Sequence, residues 1–358
     1  MSLSRATDKD AVLNAVGPLV GYLGWHGRGN LGDDAIYEAV CGQLVGARFV
    51  DLPVLSREIF GAAVTGLNRS LRRSTQVVGG GTLVGTRYFR RLVGRGLALT
   101  SRQGSYAIGV GVEDPVFARR QNASDRGELK RWVPMLSQFR VVSVRGPRSA
   151  ELLADAGLEV AVSGDPALLL PRPEVAVQDG LIGLNLGFGD DDLWGHDPAL
   201  VAEEMSGAVR ELSARGHRFV GILMNRDDQR WTELALAGTG AQIVRPVDAA
   251  GAAEELARCS VVIVSRLHAG ILAALSQTPV ISLEYQPKCR DFALSVDDER
   301  SLLRTDEVSS SAVVDRVVGA LADSAAIRAK TRAAVGRLRQ CLQAEYAVLG
   351  GQLGLHPT

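Results

Sequence analysis

Lysine is scarce in this chain. Of 40 basic residues, all but Lys9, Lys130, Lys288 and Lys330 are arginines. Long apolar runs are missing too: no stretch approaches about eighteen uncharged apolar residues, and the opening MSLSRATDKDAVLNAVG has no apolar secretion segment. Membrane spanning and secretion are therefore not expected. Net charge is zero, with 40 acids against 40 bases, so bulk electrostatics gives no reason to expect a nucleic-acid partner. Cys41, Cys259, Cys289 and Cys341 show no CxxC or Cys/His spacing, which reads as free thiols in a reducing cytoplasm. His26, His196, His217 and His356 fall in loops or at the terminus without HxH or HxxxH pairing; they read as solvated, with no metal site.

What is present is an α/β pattern. The chain has 358 residues, 46% hydrophobic and 22% charged, the composition of a soluble globular protein long enough for two domains. Short apolar runs alternate with amphipathic stretches, the mark of a parallel α/β architecture. Strands are expected at 19–23, 48–52, 76–78, 106–110, 141–144 and 159–162, and again at 181–186, 219–223, 242–244, 261–264 and 280–283. The clearest helix runs from Asp33 to Leu44, with Ile36, Ala39, Val40 and Leu44 on one face. Pro171 and Pro173 bracket a linker, giving a Rossmann-like domain over 1–172, a second over 173–325, and a long helix and tail over 326–358. Two such halves would face each other across a cleft.

The densest chemistry lies in VVIVSRLHAGILAALSQTPVISLEYQPKCRDF, residues 261–292. A β-branched run ends at Arg266 and His268; an apolar helix follows; a second strand ends at Glu284, Tyr285 and Lys288. In open α/β sheets ligands bind beyond the carboxyl ends of parallel strands. Arg266, His268 and Lys288 should converge on an anion, unless Lys288 is a lysine there by chance. An ammonium there is a compact charge that can lose its proton, unlike a guanidinium.

Other loops add to this. The first strand runs into Gly27, Gly29, Asn30, Gly32, Asp33 and Asp34, then into a helix whose N-terminus favours anions. Asp33 or Asp34 can cap that helix, while the Asn30 amide could hold a hydroxyl or phosphate oxygen. The three glycines also fit a dinucleotide fingerprint, with Asp51 as its ribose-binding acid. Gly79–Gly80–Gly81–Thr82 allows a close backbone approach or is a tight turn into a helix. Arg145, at the end of another strand, suits a carboxylate or phosphate clamp, or else a salt bridge with a nearby acid. Asp165–Pro166 reads as a turn. Trp25 could line an acceptor groove or simply pack.

Together GNLGDDAI (29–36), VVGGGT (77–82), VRGPRSAELLADAG (144–157), SGDPAL (163–168) and SRLHAGILAALSQTPVISLEYQPK (265–288) resemble the polysaccharide pyruvyl transferase family over roughly residues 19–295. The resemblance implies two facing Rossmann-like domains of the GT-B type. It implies transfer of the enolpyruvyl carbons of phosphoenolpyruvate onto two sugar hydroxyls, forming a pyruvate ketal and releasing phosphate. Phosphoenolpyruvate would be the donor substrate, with no cofactor, and the acceptor a free or lipid-linked saccharide, the latter bringing a peripheral membrane contact. By resemblance Arg145, His268 and Lys288 anchor the donor with Arg266 beside them. His268 would deliver the proton to the methylene carbon or assist phosphate departure, and Asp33 is the candidate base, with Asn30 orienting a sugar hydroxyl. Gly146–Pro147 after Arg145 departs from the acidic or polar residue that many members carry. On the same fold a nucleotide-sugar glycosyltransferase would use Glu284 for a ribose; a non-catalytic binding protein is the third alternative.

Overall fold

The structure, a computed structural model, describes residues 17–53, 56–64, 66–100, 104–118, 127–188 and 193–355; Lys9, His356 and most of the N-terminal segment read above lie outside them. Two parallel sheets organise the chain. The first is built from β1 (Leu19–Leu23), β2 (Arg48–Asp51), β3 (Thr75–Val78), β4 (Thr82–Val84), β5 (Ser105–Val112), β6 (Val141–Val144) and β7 (Ala161–Val162). Its order is β2-β1-β3-β5-β6-β7, with β4 pairing with β5. The second contains β8 (Gln178–Asn185), β9 (Arg218–Ile222), β10 (Gln242–Val244), β11 (Cys259–Val264), β12 (Val280–Glu284) and β13 (Leu302–Arg304), in the order β10-β9-β8-β11-β12-β13.

All of these strand pairs are parallel. Parallel sheets are covered on both faces, which is why β3, β5 and most of β11 are buried rather than alternating. The glycine triplet Gly79–Gly81 leads into β4, not into a helix, because Thr82–Val84 extends along the end of β5. In both sheets the strand order reverses once, between β1 and β3 and between β8 and β11, and the loops leaving those points frame a crevice.

Each domain has an apolar cluster of its own, and a further cluster spans both. Val20 and Tyr22 of the first sheet share one apolar cluster with Leu267 and Leu272 of the second domain and with Leu338, Leu342 and Tyr346 of the terminal helix Ser324–Gln352. That helix also turns polar groups to the first sheet: Glu345 accepts hydrogen bonds from Ser143 (2.6 Å) and Ser163 (2.7 Å). None of the helices among the described residues is long and apolar enough to cross a membrane.

A second fastening joins the domains through the helix Pro147–Ala156. The residue preceding it, Gly146, has no side chain to cap it, and the cap comes from the other domain. Asp291 accepts from the Ser149 backbone N–H (3.0 Å) and from the Ser149 hydroxyl (2.6 Å). A Cβ on residue 146 would lie 2.2 Å from the Asp291 carbonyl oxygen, so this approach requires glycine. Asp291→Ala removes a buried cap in trans and should cost about 2 kcal/mol, seen as a lower denaturation midpoint.

Burial also sets thiol reactivity. It pushes Cys259 up to about 12 and Cys289 up to about 11, while Cys341 is exposed. Timed alkylation at pH about 8 followed by peptide mass mapping should therefore label Cys341 well before Cys259 and Cys289.

Candidate active site

The two crevices face each other around a cavity of about 360 Å³. Asn30, Asp33, Thr82, Glu113 and Arg145 line it from the first domain, with the aromatic rings of Trp25, Tyr88 and Phe89. From the second domain come Met224, Arg266, His268, Tyr285, Gln286 and Lys288. Of the residues singled out in the sequence, Asn30, Asp33, Arg145, Arg266, His268 and Lys288 thus meet in one space. Glu284 does not line it. Its side chain is buried and its two oxygens accept from Arg290 at 3.0 and 2.6 Å, so the ribose role considered for it has no geometric support.

The glycine loop is built around the start of the helix Leu31–Gln43. Asn30, with extended backbone, is the cap: its side-chain Oδ1 accepts from the Gly32 N–H (3.1 Å). Asp33 and Asp34, expected as caps, already lie in the first helical turn. Asp33 accepts instead from the Asn30 amide (2.7 Å), and Asp34 accepts from the Gly27 N–H (2.6 Å). Asn30 therefore sets the direction of the Asp33 carboxylate. The dinucleotide alternative loses its acid, because Asp51 pairs with His26 at 3.2 Å, away from the cavity. His26 itself is half-buried and stacked on Tyr37 with centroids 3.8 Å apart, not the solvated residue expected.

The same loop docks on the second domain. The Leu31 N–H donates to the Met224 carbonyl (3.0 Å), and Asn30 forms an antiparallel bridge with Asn225. Asp228 holds that partner strand end in place, accepting from the Met224 and Asn225 N–H groups at 3.1 Å. The Arg266 Nε also binds Asp228 (2.8 Å), so this arginine lines the cavity with part of its charge already committed. Lys288 sits with its ammonium 4.8 Å from the centre of the Tyr285 ring.

His268 occupies the centre. Every other residue of its helix, Leu267–Leu275, is buried, while His268 is half-buried and lines the cavity. It lies tight against the opposite domain: a Cβ on residue 32 would come within 2.3 Å of its Nδ1. Gly32 is thus required by the fit between domains. The His268 Nε2 lies 3.6 Å from Asp165, and the Arg145 Nη1 lies 3.9 Å from the same carboxylate oxygen.

Asp165, read from sequence as a turn, is fully buried. It caps its own turn through the Ala167 N–H (3.0 Å) and faces both Arg145 and His268. Burial works to raise its carboxyl, but His268, Arg145 and the Ala167 N–H outweigh burial and hold it below the ordinary carboxylate range. Arg145 is equally buried, yet among the described residues only its Nη2 has a hydrogen-bond acceptor, Thr82 (3.4 Å); Nη1 and Nε have carboxylates no nearer than 3.9 Å (Asp165) and 3.7 Å (Asp291). Buried guanidinium groups are ordinarily saturated. The Asp33 carboxyl is raised by burial, with His268 and Lys288 pulling the other way.

A family model described as polysaccharide pyruvyl transferase matches residues 30–287. No curated protein matches the chain. Among solved structures, a putative UDP-N-acetylglucosamine 2-epimerase from Listeria monocytogenes is similar at TM-score 0.61 and 12% identity, covering 95% of this chain and 97% of that one. The UDP-GlcNAc 2-epimerase of Neisseria meningitidis follows at 0.58 and 11%, covering 93% and 99%. The calicheamicin glycosyltransferase CalG4 matches at 0.54 and 14%, covering 95% and 99%. At these identities the likeness concerns the fold, two facing parallel-sheet domains of the GT-B kind with a long C-terminal helix.

Two acids should respond oppositely to pH. The Asp165 carboxyl is lower in the folded chain than its ordinary 3.8, so its stabilisation is present above that value and lost as pH falls. Asp165→Asn should destabilise the protein at neutral pH by about 3 kcal/mol and flatten the acid limb of a melting-temperature profile. The Asp33 carboxyl is higher than its ordinary 3.8, so folding is favoured below that value and stability is lost as pH rises through the folded one. Asp33→Asn should therefore raise the neutral-pH melting temperature by roughly one to a few degrees.

Proposed function

We infer that this chain, which belongs to the polysaccharide pyruvyl transferase family, moves the enolpyruvyl carbons of phosphoenolpyruvate onto two hydroxyls of a saccharide. The observation that carries the reading is the buried Arg145, with two nitrogens lacking hydrogen-bond acceptors among the described residues, at a cavity it shares with Arg266, His268 and Lys288. A small ligand with a carboxylate and a phosphate would satisfy such a cluster. The opposite wall suits a sugar, with Trp25, Tyr88 and Phe89 offering flat apolar faces and Asn30, Asp33 and Glu113 offering polar contacts to hydroxyls.

The reaction balances as follows. One acceptor hydroxyl adds to the central carbon of the donor while a proton goes to its methylene carbon, which becomes a methyl group. The carbon–oxygen bond to phosphate then breaks, and the second hydroxyl closes the ketal. Of the two hydroxyl protons, one is balanced by the new methyl hydrogen and the other leaves with phosphate or base.

His268, oriented by Asp165, is our choice of proton donor to carbon. Asp33, aimed by Asn30 and made more basic by burial, is our choice of base. Arg145, Lys288 and Arg266 would neutralise the departing phosphate.

The test is incubation of the full chain with phosphoenolpyruvate and a saccharide pool, reading free phosphate and the mass gain of a pyruvate ketal. His268→Ala should lower kcat on the order of a hundredfold or more. Arg145→Lys should raise KM for phosphoenolpyruvate at least about tenfold, because an ammonium cannot reproduce the fork. Consumption of labelled nucleotide sugars with phosphoenolpyruvate left intact would overturn the reading.

A further inference from the structure

The zero net charge hides a local imbalance. Between Leu52 and Thr100 the chain carries eight arginines and no lysine, against a single acid, Glu58. These residues fold into three helices on one side of the first sheet: Ser56–Val64, Leu67–Leu71 and Arg87–Thr100, each packed on the next.

The helix Arg87–Thr100 is sharply two-sided. Leu92, Val93 and Gly96 face the sheet, while Arg87, Arg91 and Arg95, spaced four apart, form one exposed row. Arg69, Arg72 and Arg73 are exposed at the neighbouring helix. Beside them Phe60 and Val64, again four apart, are 73% and 72% exposed. Apolar side chains this open, one turn apart on a helix and next to a basic row, are not accounted for by packing among the described residues.

We propose that this face docks on an anionic lipid bilayer, with the arginines against headgroups and Phe60 and Val64 entering the acyl boundary. Arginine rows with adjacent apolar anchors are what peripheral binding to acidic lipid requires. An acidic nucleic acid would be drawn to the arginines but would give Phe60 and Val64 nowhere to go. The face is also next to the cavity. The helix that carries the exposed arginine row places Tyr88 and Phe89 in the cavity wall, so a docked protein would open its sugar-facing wall close to the membrane surface. A saccharide borne on a lipid would then reach the cavity without leaving the bilayer, which is how the proposal bears on the acceptor. The binding itself does not depend on the pyruvyl reaction.

The experiment is flotation of the full chain with vesicles of neutral phosphatidylcholine or of phosphatidylcholine with about one-third phosphatidylglycerol, without substrate. Binding should appear on the anionic vesicles at low salt and fall steeply as salt screens it. Each arginine at such a surface is worth about fivefold in binding. The triple charge reversal R72E/R73E/R91E, at exposed positions outside the cavity, should therefore lower vesicle affinity by roughly a hundredfold or more while the circular dichroism spectrum stays unchanged. Phe60→Ser should weaken the salt-resistant part.

No flotation with anionic vesicles at low salt would overturn the proposal, as would equal binding by the triple variant. Duplex DNA displacing the protein from vesicles, with Phe60→Ser without effect, would show a polyanion-binding face instead. Since vesicle binding is measured without phosphoenolpyruvate, its failure would leave the catalytic reading standing.

Discussion

The site is organised around one carboxylate. Asp165 is fully buried beside a buried arginine and a histidine that reaches in from the other domain. An unpaired charge at that depth would be costly, and Arg145 has a second carboxylate, Asp291, 3.7 Å from its Nε. The Asp165 contacts stop at 3.6 and 3.9 Å, close enough for strong attraction but beyond direct hydrogen bonding. Asp165 therefore holds Arg145 and His268 near each other without saturating them. Arg145 and His268 are fixed in place and keep their hydrogen-bonding capacity for whatever enters the cavity.

That arrangement works only if the domains stay close. His268 fits because residue 32 has no side chain, and Arg145 leaves its strand where Gly146 lets the Asp291 backbone approach. The unusual Gly146–Pro147 pair thus has a local reason. Proline suits the first position of the helix, glycine allows the cross-domain contact, and Asp291 supplies the missing cap. The shared apolar cluster and the Met224–Leu31 bond add to the same closure. The cavity walls are correspondingly unequal, cationic on the second domain and aromatic and acidic on the first apart from Arg145.

Much of this was legible in the sequence because strand ends mark parallel α/β sites. Arg145, Arg266, His268 and Lys288 follow buried runs directly, and so do Asn30 and Asp33 one loop later. What was not legible depended on contacts across the domain boundary. Asp165 followed by proline has the appearance of any capped turn, and nothing near it in sequence reveals Arg145 or His268. Glu113 directly follows β5 and Tyr88 follows β4, whose three residues are too short for a periodic signal and which pairs with the end of β5. Glu284 misled for the converse reason: it ends a strand like the others, but Arg290 six residues on takes both its oxygens. Asn30 and the two aspartates exchanged expected tasks because the helix begins two residues earlier than its apolar pattern suggests.

The terminal helix has a bearing on how the protein is made. Leu338, Leu342 and Tyr346 complete an apolar cluster that begins at Val20, and Glu345 satisfies serines that immediately follow or lie within the last strands of the first sheet. A nascent chain emerges N-terminus first and folds domain by domain where it can. Here the first sheet leaves the ribosome with that apolar surface uncovered and must wait for some of the last residues synthesised. Contacts spanning so much of the sequence form late and slowly. The first domain is thus exposed to aggregation for almost the whole of translation, and helix 324–352 acts as the closing step of folding for both halves at once.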